Sequence, residues 1–162
     1  MSRNPELDEL RRKMAENISQ MPATEVFVPR ARLREFCEII GETNPVYRDA
    51  GEARRRGFEE VPVPESYFLT LITPLSHELF SRGVGLLLSP SVKGVIHTSS
   101  AIEFHRPLYC ETPYRLVLGL SSLVRKRGNM GSYLVGTFPH KVLDARGDLV
   151  AVDSHVFFLR ES

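Results

Sequence analysis

The hydrophobic positions of this chain change their period about halfway along it. In the first half, apolar residues recur three and four positions apart, which is typical of helices with one buried face. This spacing predicts an N-terminal amphipathic helix within residues 1–22, a second helix that ends at Ile40, and a short third helix from Asp49 to Arg56. The most apolar helix is predicted from Glu65 to Phe80, mostly buried and locally opened or kinked by Pro74.

Strand patterns dominate the second half. A first short strand is predicted at Glu25 to Val28, and four longer segments after the central helix have strand character: Val92–Phe104, Tyr114–Arg125, Tyr133–Leu143 and Leu149–Leu159. Glycine-containing turns after Arg125 and Asp144 predict antiparallel hairpins. Antiparallel strands that follow one apolar helix predict an α+β domain over residues 23–162, with the N-terminal helix packed on its outside.

Composition narrows the class of protein. The chain has 162 residues, 42% of them hydrophobic, which fits a single domain with its own core. Lys and Arg number 21 against 20 Asp and Glu, so nothing in the net charge of +1 favours nucleic acid or an anionic membrane. We expect a cytoplasmic protein without a membrane span, with Cys37 and Cys110 as reduced thiols. No closely spaced Cys and His set is present, so no metal site is predicted.

The segment from Ile40 to Asp49 carries the most chemical information. It reads Ile-Gly-Glu-Thr-Asn-Pro-Val-Tyr-Arg-Asp and directly follows the second predicted helix. Asn44-Pro45 is a turn signal, because Asn side chains bond to local backbone groups and Pro fixes its own φ angle. From these residues alone, the segment is either an ordinary helix-terminating turn or an active-site loop.

This segment resembles the Gly-Asp-X-Asn-Pro-X-His-X-Asp signature of the MaoC-like (R)-specific hydratases and dehydratases, which have the hot-dog fold. The run Glu103–Leu108 resembles the family's strand-end Arg-Pro motif, and Val61–Pro64 resembles its proline-rich entry to the central helix. In that family, the acidic residue and the His of the signature add water to an enoyl thioester or remove it. The resemblance assigns these two catalytic positions to Glu42 and Tyr47.

Both catalytic positions depart from the family pattern. Tyr47 has an ordinary pKa of about 10 and accepts a proton poorly at neutral pH, while Glu42 moves the carboxylate by one methylene group. Active members have a His-Gly pair at the start of the central helix, where this chain has Pro64-Glu65. The resemblance implies an acyl thioester of coenzyme A or acyl carrier protein as ligand, no further cofactor, and these substrate-binding residues: Asn44, Glu65, Ser66, His97 and Arg106.

The resulting prediction is an acyl-binding subunit of a (3R)-hydroxyacyl dehydratase or enoyl hydratase, of a kind typical of fatty acid metabolism. The subunit is predicted to be weakly catalytic or non-catalytic. We expect at least a dimer, with a second copy or with a catalytic hot-dog subunit, because a hot-dog sheet leaves an edge strand. Two alternatives stay open: an active homodimeric enoyl-CoA hydratase that uses Glu42 or His97, and a non-enzymatic hot-dog binding or scaffold module. A structural role for His97 is a further reading of that residue.

Overall fold

Four helices precede most of the strands in the structure, a computed structural model. It describes residues 4–81, 92–129 and 131–161, without the side chains of residues 75–77 and 79–81. The helices are α1 Pro5–Ser19, α2 Arg30–Ile39, α3 Ala50–Arg55 and α4 Phe68–Ser81, with 3₁₀ turns at Pro45–Tyr47 and Glu65–Tyr67. The strands are β1 Thr24–Phe27, β2 Val92–Phe104, β3 Pro113–Leu118, β4 Ser122–Gly128, β5 Gly131–Leu143 and β6 Leu149–Glu161.

The strands form one antiparallel sheet, in the order β1-β3-β5-β6-β2 with β4 also paired to β5. Alternate residues of β6 from Ala151 to Leu159 are buried, so one sheet face lies against the helices and the other faces outward. Helix α4 contributes Phe68, Leu71 and Ile72 to a core cluster that also contains Ala151. This arrangement confirms the predicted α+β architecture and places the start of α4 beside the end of β2, where Phe68 contacts Phe104 at 5.2 Å between ring centroids.

Helix α1 covers a second part of the sheet. Asn4 caps its first turn, where the side chain accepts a hydrogen bond from the Leu7 backbone N–H at 3.2 Å. Met14 is only 1% exposed and joins a second core cluster with Leu134 and Phe157. The apolar stripe that predicted an amphipathic N-terminal helix is therefore the surface that packs on the sheet. None of the helices in the described ranges is long and apolar enough to cross a membrane.

The predicted strand Tyr114–Arg125 is wrong, because the chain forms two strands there instead of one. β3 pairs with residues 140–143 of β5, and β4 pairs with residues 131–137 of the same strand. Pro139 lies at the junction, where it has no N–H to donate to the ladder. Gly119 crosses over this proline and donates a hydrogen bond to its carbonyl oxygen at 2.9 Å. A Cβ at Gly119 would lie 3.2 Å from the Pro139 ring, which is a tight contact, so glycine lets the chain cross this ring without displacing it.

Helix α4 differs from the prediction in two ways. The Glu65–Tyr67 segment forms a 3₁₀ turn, and the α-helix begins only at Phe68 and continues through Pro74. The helix also buries one side only, since Phe68 is fully buried while Leu69 is 51% exposed. Leu75 and Leu79, also expected in the buried stripe, lie outside the described side chains.

Candidate active site

The loop after α2 is folded by its own side chains. Gly41 ends the helix with φ of 71°, a left-handed conformation that favours glycine. The Glu42 carboxylate then accepts a hydrogen bond from the Asn44 backbone N–H at 2.8 Å. The Asn44 side-chain oxygen in turn accepts one from the Val46 N–H at 3.2 Å and caps the 3₁₀ turn. Glu42 and Asn44 thus each have a bond to the loop backbone, which fixes their orientation.

Tyr47 lies at the end of this turn and is half-buried. Burial raises the pKa of its phenol, and the nearby carboxylates of Glu42 and Glu65 raise that pKa further because they disfavour a second negative charge. Tyr47 therefore keeps its proton at neutral pH. In this position the phenol can donate a hydrogen bond but is a poor base.

A pocket of about 310 Å³ opens beside Tyr47. The loop, the entry to α4 and the end of β2 all contribute to its wall, which comprises Tyr47, Phe58, Pro62, Val63, Glu65, Phe104, His105, Arg106, Pro107 and Leu108. The lining is mostly apolar, with a few polar groups at one side. Its volume falls at the lower end of the range of small-molecule sites.

Arg106 is held at the rim of this pocket. Its guanidinium lies 3.2 Å from the Asp144 carboxylate and donates a second hydrogen bond to the Leu149 carbonyl at 3.2 Å. Asp144 is fixed by the β5–β6 turn, where it accepts hydrogen bonds from the Arg146 and Asp148 N–H groups at 2.9 Å each. These backbone bonds and Arg106 lower the pKa of Asp144, so it stays ionised and keeps Arg106 oriented.

The structure brings some of the predicted site residues together and separates others. Tyr47, Glu65 and Arg106 line one pocket; Glu42 is absent from its wall but lies near enough to raise the pKa of Tyr47 by its charge. Ser66 is exposed and is absent from the pocket wall. His97 lies seven residues before Phe104 on β2, about 23 Å away along an extended strand. Within one protomer, His97 is therefore remote from the loop.

His105, Phe58 and Phe104 also line the pocket, although the sequence did not single them out. His105 is exposed and its Nε2 lies 3.7 Å from a carboxylate oxygen of Glu103. The signal that could have found it is its position beside Arg106 in the Phe-His-Arg-Pro run. Among the described residues, His105 is the only histidine in the wall of the pocket that Tyr47 lines.

A separate polar cluster lies beneath the sheet. Asp153 and His140 are fully buried, and His155 Nε2 lies 2.8 Å from an Asp153 carboxylate oxygen, although without good hydrogen-bond geometry. The His97 ring stacks on His155 with 4.8 Å between centroids. Burial and the neighbouring His155 lower the pKa of His140 to about 4. The described residues hold no group of three or more His, Cys, Asp or Glu side chains arranged to bind a metal.

Comparison with known proteins places these features in a family context. The family described as "FAS1-like, dehydratase domain region" matches residues 19–153. A UPF0336 protein of Saccharopolyspora erythraea is 28% identical over 111 residues, which cover 68% of this chain and 69% of that protein. A UPF0336 protein of Streptomyces coelicolor is 22% identical over 81% of this chain and 78% of its own length.

Solved structures share the architecture at low sequence identity. The ChsH1–ChsH2 complex of Mycobacterium tuberculosis superposes with a TM-score of 0.69 at 17% identity, over 95% of this chain and 97% of that one. The truncated HadBC (3R)-hydroxyacyl-ACP dehydratase of the same organism gives 0.65 at 17% identity, over 83% and 90%. The (R)-hydratase of A. caviae gives 0.59 at 18% identity, over 84% and 91%. These similarities confirm the predicted hot-dog fold.

Proposed function

This chain belongs to the FAS1-like dehydratase family of hot-dog proteins, and we propose that it is the acyl-thioester-binding subunit of a (3R)-hydroxyacyl dehydratase or enoyl hydratase. A partner hot-dog chain supplies the catalytic acid and base. The observation that carries this proposal is the state of the loop. One Glu42 carboxylate oxygen is bonded to the loop backbone and Tyr47 is held protonated, so the family position for histidine lacks a base and the carboxylate is oriented by the loop.

Hydration of an enoyl thioester needs a base at the β-carbon, an acid at the α-carbon and donors for the thioester oxygen. The phenol of Tyr47 can serve only as a donor. At the start of α4, Pro64 has no N–H and is the residue that caps the following 3₁₀ turn. Glu65 adds negative charge at the place where an oxyanion would have to be stabilised. This pocket is therefore better suited to hold an acyl thioester than to react with it.

The pocket wall supports binding of the acyl group. Phe58, Val63, Phe104 and Leu108 form an apolar lining next to the Tyr47 hydroxyl, which can donate to the thioester carbonyl. Arg106 lies at the rim, where its guanidinium, oriented by Asp144, has further N–H groups that can donate to a phosphate of the carrier. The partner subunit is motivated by two structural relatives, which are the ChsH1–ChsH2 and HadBC complexes of two chains each.

The test is steady-state hydration of crotonyl-CoA by the purified chain, with binding of butyryl-CoA measured in parallel. We expect butyryl-CoA to bind and crotonyl-CoA to be hydrated no faster than by a Glu42→Gln variant. The double variant Glu42→Asp with Tyr47→His restores a carboxylate of family length and a base with a pKa near neutrality, but it leaves Pro64 and Glu65 at the oxyanion position, so we expect only a small gain in turnover. Each single variant is a matched control and should stay inactive, since the reaction needs both groups.

Robust turnover by the unmodified chain, abolished by Glu42→Ala, would contradict the proposal. A second candidate is a self-sufficient hydratase that uses His105, because this imidazole shares the pocket with Tyr47. Turnover that survives Glu42→Ala and is lost in His105→Gln would establish that candidate instead. Absence of butyryl-CoA binding would contradict both and favour a scaffold protein.

A further inference from the structure

The outward face of the sheet carries two adjacent rows of side chains, one apolar and one basic. Register across the strands places the apolar row, in order across the sheet, at Val124, Val135, Phe158 and Ile96. The second row, one step further along the strands, consists of Lys126, Tyr133 and Arg160. Neighbouring positions in a row are about 4.8 Å apart, so their side chains are adjacent. Ile96 is 63% exposed and Phe158 is 36% exposed, whereas Val135 beside Phe158 is 9% exposed, so the open part of the apolar row at this end is formed by Ile96 and Phe158.

A pocket of about 370 Å³ lies where the two rows meet the β4–β5 hairpin. Its wall comprises four strand residues and four residues of the hairpin: Ile96, Tyr133, Phe158, Arg160, Gly128, Asn129, Gly131 and Ser132. The Tyr133 and Phe158 rings are 5.2 Å apart with their planes tilted by 36°. A side chain at Gly128 would approach the Tyr133 ring within 3.3 Å, so glycine there leaves that ring uncovered.

The charges beside this pocket have one sign. No carboxylate lines it, and the nearest one in sequence, Glu161, is 2.8 Å from Arg125. Within the described ranges, Arg160 and Lys126 have no ion-pair partner, whereas Arg55 and Arg106 on other surfaces each pair with a carboxylate. Two unpaired cations flank Tyr133 across the strands, which raises the local positive potential.

This combination restricts the class of ligand. Exposed aromatic rings favour a planar ring that stacks on them, and Arg recognises phosphate through paired hydrogen bonds. A simple fatty chain would leave the cations without a role. We propose that this pocket binds a nucleoside phosphate, with its base against Tyr133 and Phe158 and its phosphate at Arg160, while Lys126 adds positive charge from the far side of Tyr133.

This site is distinct from the acyl pocket. Ile96 lies eight residues before Phe104 on β2, about 26 Å along the strand, and faces outward. Phe104 packs toward the helices. A ligand in one pocket therefore leaves the other open, and the nucleotide proposal does not depend on the proposed acyl function.

The test is calorimetric titration with adenosine 3′,5′-bisphosphate, using adenosine and inorganic phosphate as partial probes. The bisphosphate should bind at least about tenfold more tightly than either part, because only it uses both the rings and the cations. Arg160→Gln and Phe158→Ser should each weaken binding by about tenfold. The matched control is Arg115→Gln, which removes an exposed arginine on β3 and should leave binding unchanged. Thermal unfolding confirms that each variant is folded.

Three results would overturn the proposal: adenosine and the bisphosphate bind equally, Arg160→Gln behaves like Arg115→Gln, or a single-stranded oligonucleotide binds far more tightly than the mononucleotide. Coenzyme A itself carries a phosphorylated adenosine, so an acyl-CoA could bind at either pocket. S-butyryl pantetheine distinguishes binding at the acyl pocket from binding at the nucleotide pocket. That probe has the acyl thioester without the nucleotide, and Arg160→Gln should bind it as well as wild type does. Failure of S-butyryl pantetheine to bind any variant would count against the acyl function alone.

Discussion

The buried histidines beneath the sheet predict a loss of stability in mild acid. His140 is 0% exposed, and burial together with the adjacent His155 lowers its pKa to about 4 from an ordinary 6.5. Burial also lowers the pKa of His155, although Asp153 opposes that effect. A proton that reaches either ring in the folded chain must enter a desolvated cluster, which disfavours the charged form. Lowering the pH is therefore a direct perturbation of this part of the core.

The size of the effect follows from His140. Unfolded chains bind a proton at this residue as the pH falls through about 6.5, whereas the folded chain resists protonation until about pH 4. The stabilising contribution of neutral, buried His140 to the free energy of unfolding is therefore fully present above pH 6.5 and is lost as the pH falls toward 4. The difference in pKa corresponds to about 3 kcal/mol in total, of which about 2 kcal/mol should be lost between pH 7 and pH 5.

Urea unfolding at pH 7, 6 and 5, at one protein concentration, measures this loss. The decrease in the free energy of unfolding between pH 7 and pH 5 should be about 2 kcal/mol smaller in His140→Gln than in wild type, even if the variant is less stable at pH 7. His105→Gln removes an exposed histidine instead and should retain the wild-type dependence on pH. An equal drop in wild type and His140→Gln would show that protonation of this cluster does not control the acid stability.

Two further substitutions test the packing of α1 and the support of the pocket rim. Met14→Ala should lower the free energy of unfolding by about 2–4 kcal/mol, because the side chain is 1% exposed and anchors α1 on the sheet. Thermal unfolding measures this loss, with the exposed residue changed in Lys13→Ala as the control. A loss below about 1 kcal/mol would contradict the anchor role of Met14. Asp144→Ala should lower the thermal unfolding midpoint, because it removes two hydrogen bonds that hold the β5–β6 turn and releases Arg106. Unfolding at pH 7 measures this, and Asp148→Ala should lower the midpoint clearly less; an equal shift would contradict the role of Asp144.

The sequence predicted best where a structural feature depends on neighbouring residues. Gly41 ends α2 in a left-handed conformation, and the Asn44 side chain caps the following turn, as their residue types suggest. Asp49 begins α3 by accepting a hydrogen bond from the Glu52 N–H at 2.6 Å. Each of these contacts spans two or three residues, so a short stretch of sequence contains all the information needed.

The errors arose where distant parts of the chain meet. The split between β3 and β4 depends on Pro139, which is about twenty residues away in sequence and adjacent in space. Glu111 adopts φ of 58°, a conformation that ordinarily favours glycine, while its N–H donates to the Val28 carbonyl at 2.9 Å. The proximity of His140 to Asp153 follows from strand register, which the spacing of either residue in its own strand does not determine.

The candidate site shows how a loop can keep its shape when two of its side chains differ from the family signature. Gly41 and Asn44-Pro45 set the backbone path through local bonds, and these positions match the family signature. Glu42 contributes to the same local structure, because its carboxylate accepts the Asn44 N–H. Tyr47 then places a phenol, raised in pKa by burial and by two carboxylates, where proton transfer would require a base. Gly41 and Asn44-Pro45 therefore act on the fold of the loop, while Glu42 and Tyr47 are the two positions at which the proposed loss of catalysis can be tested.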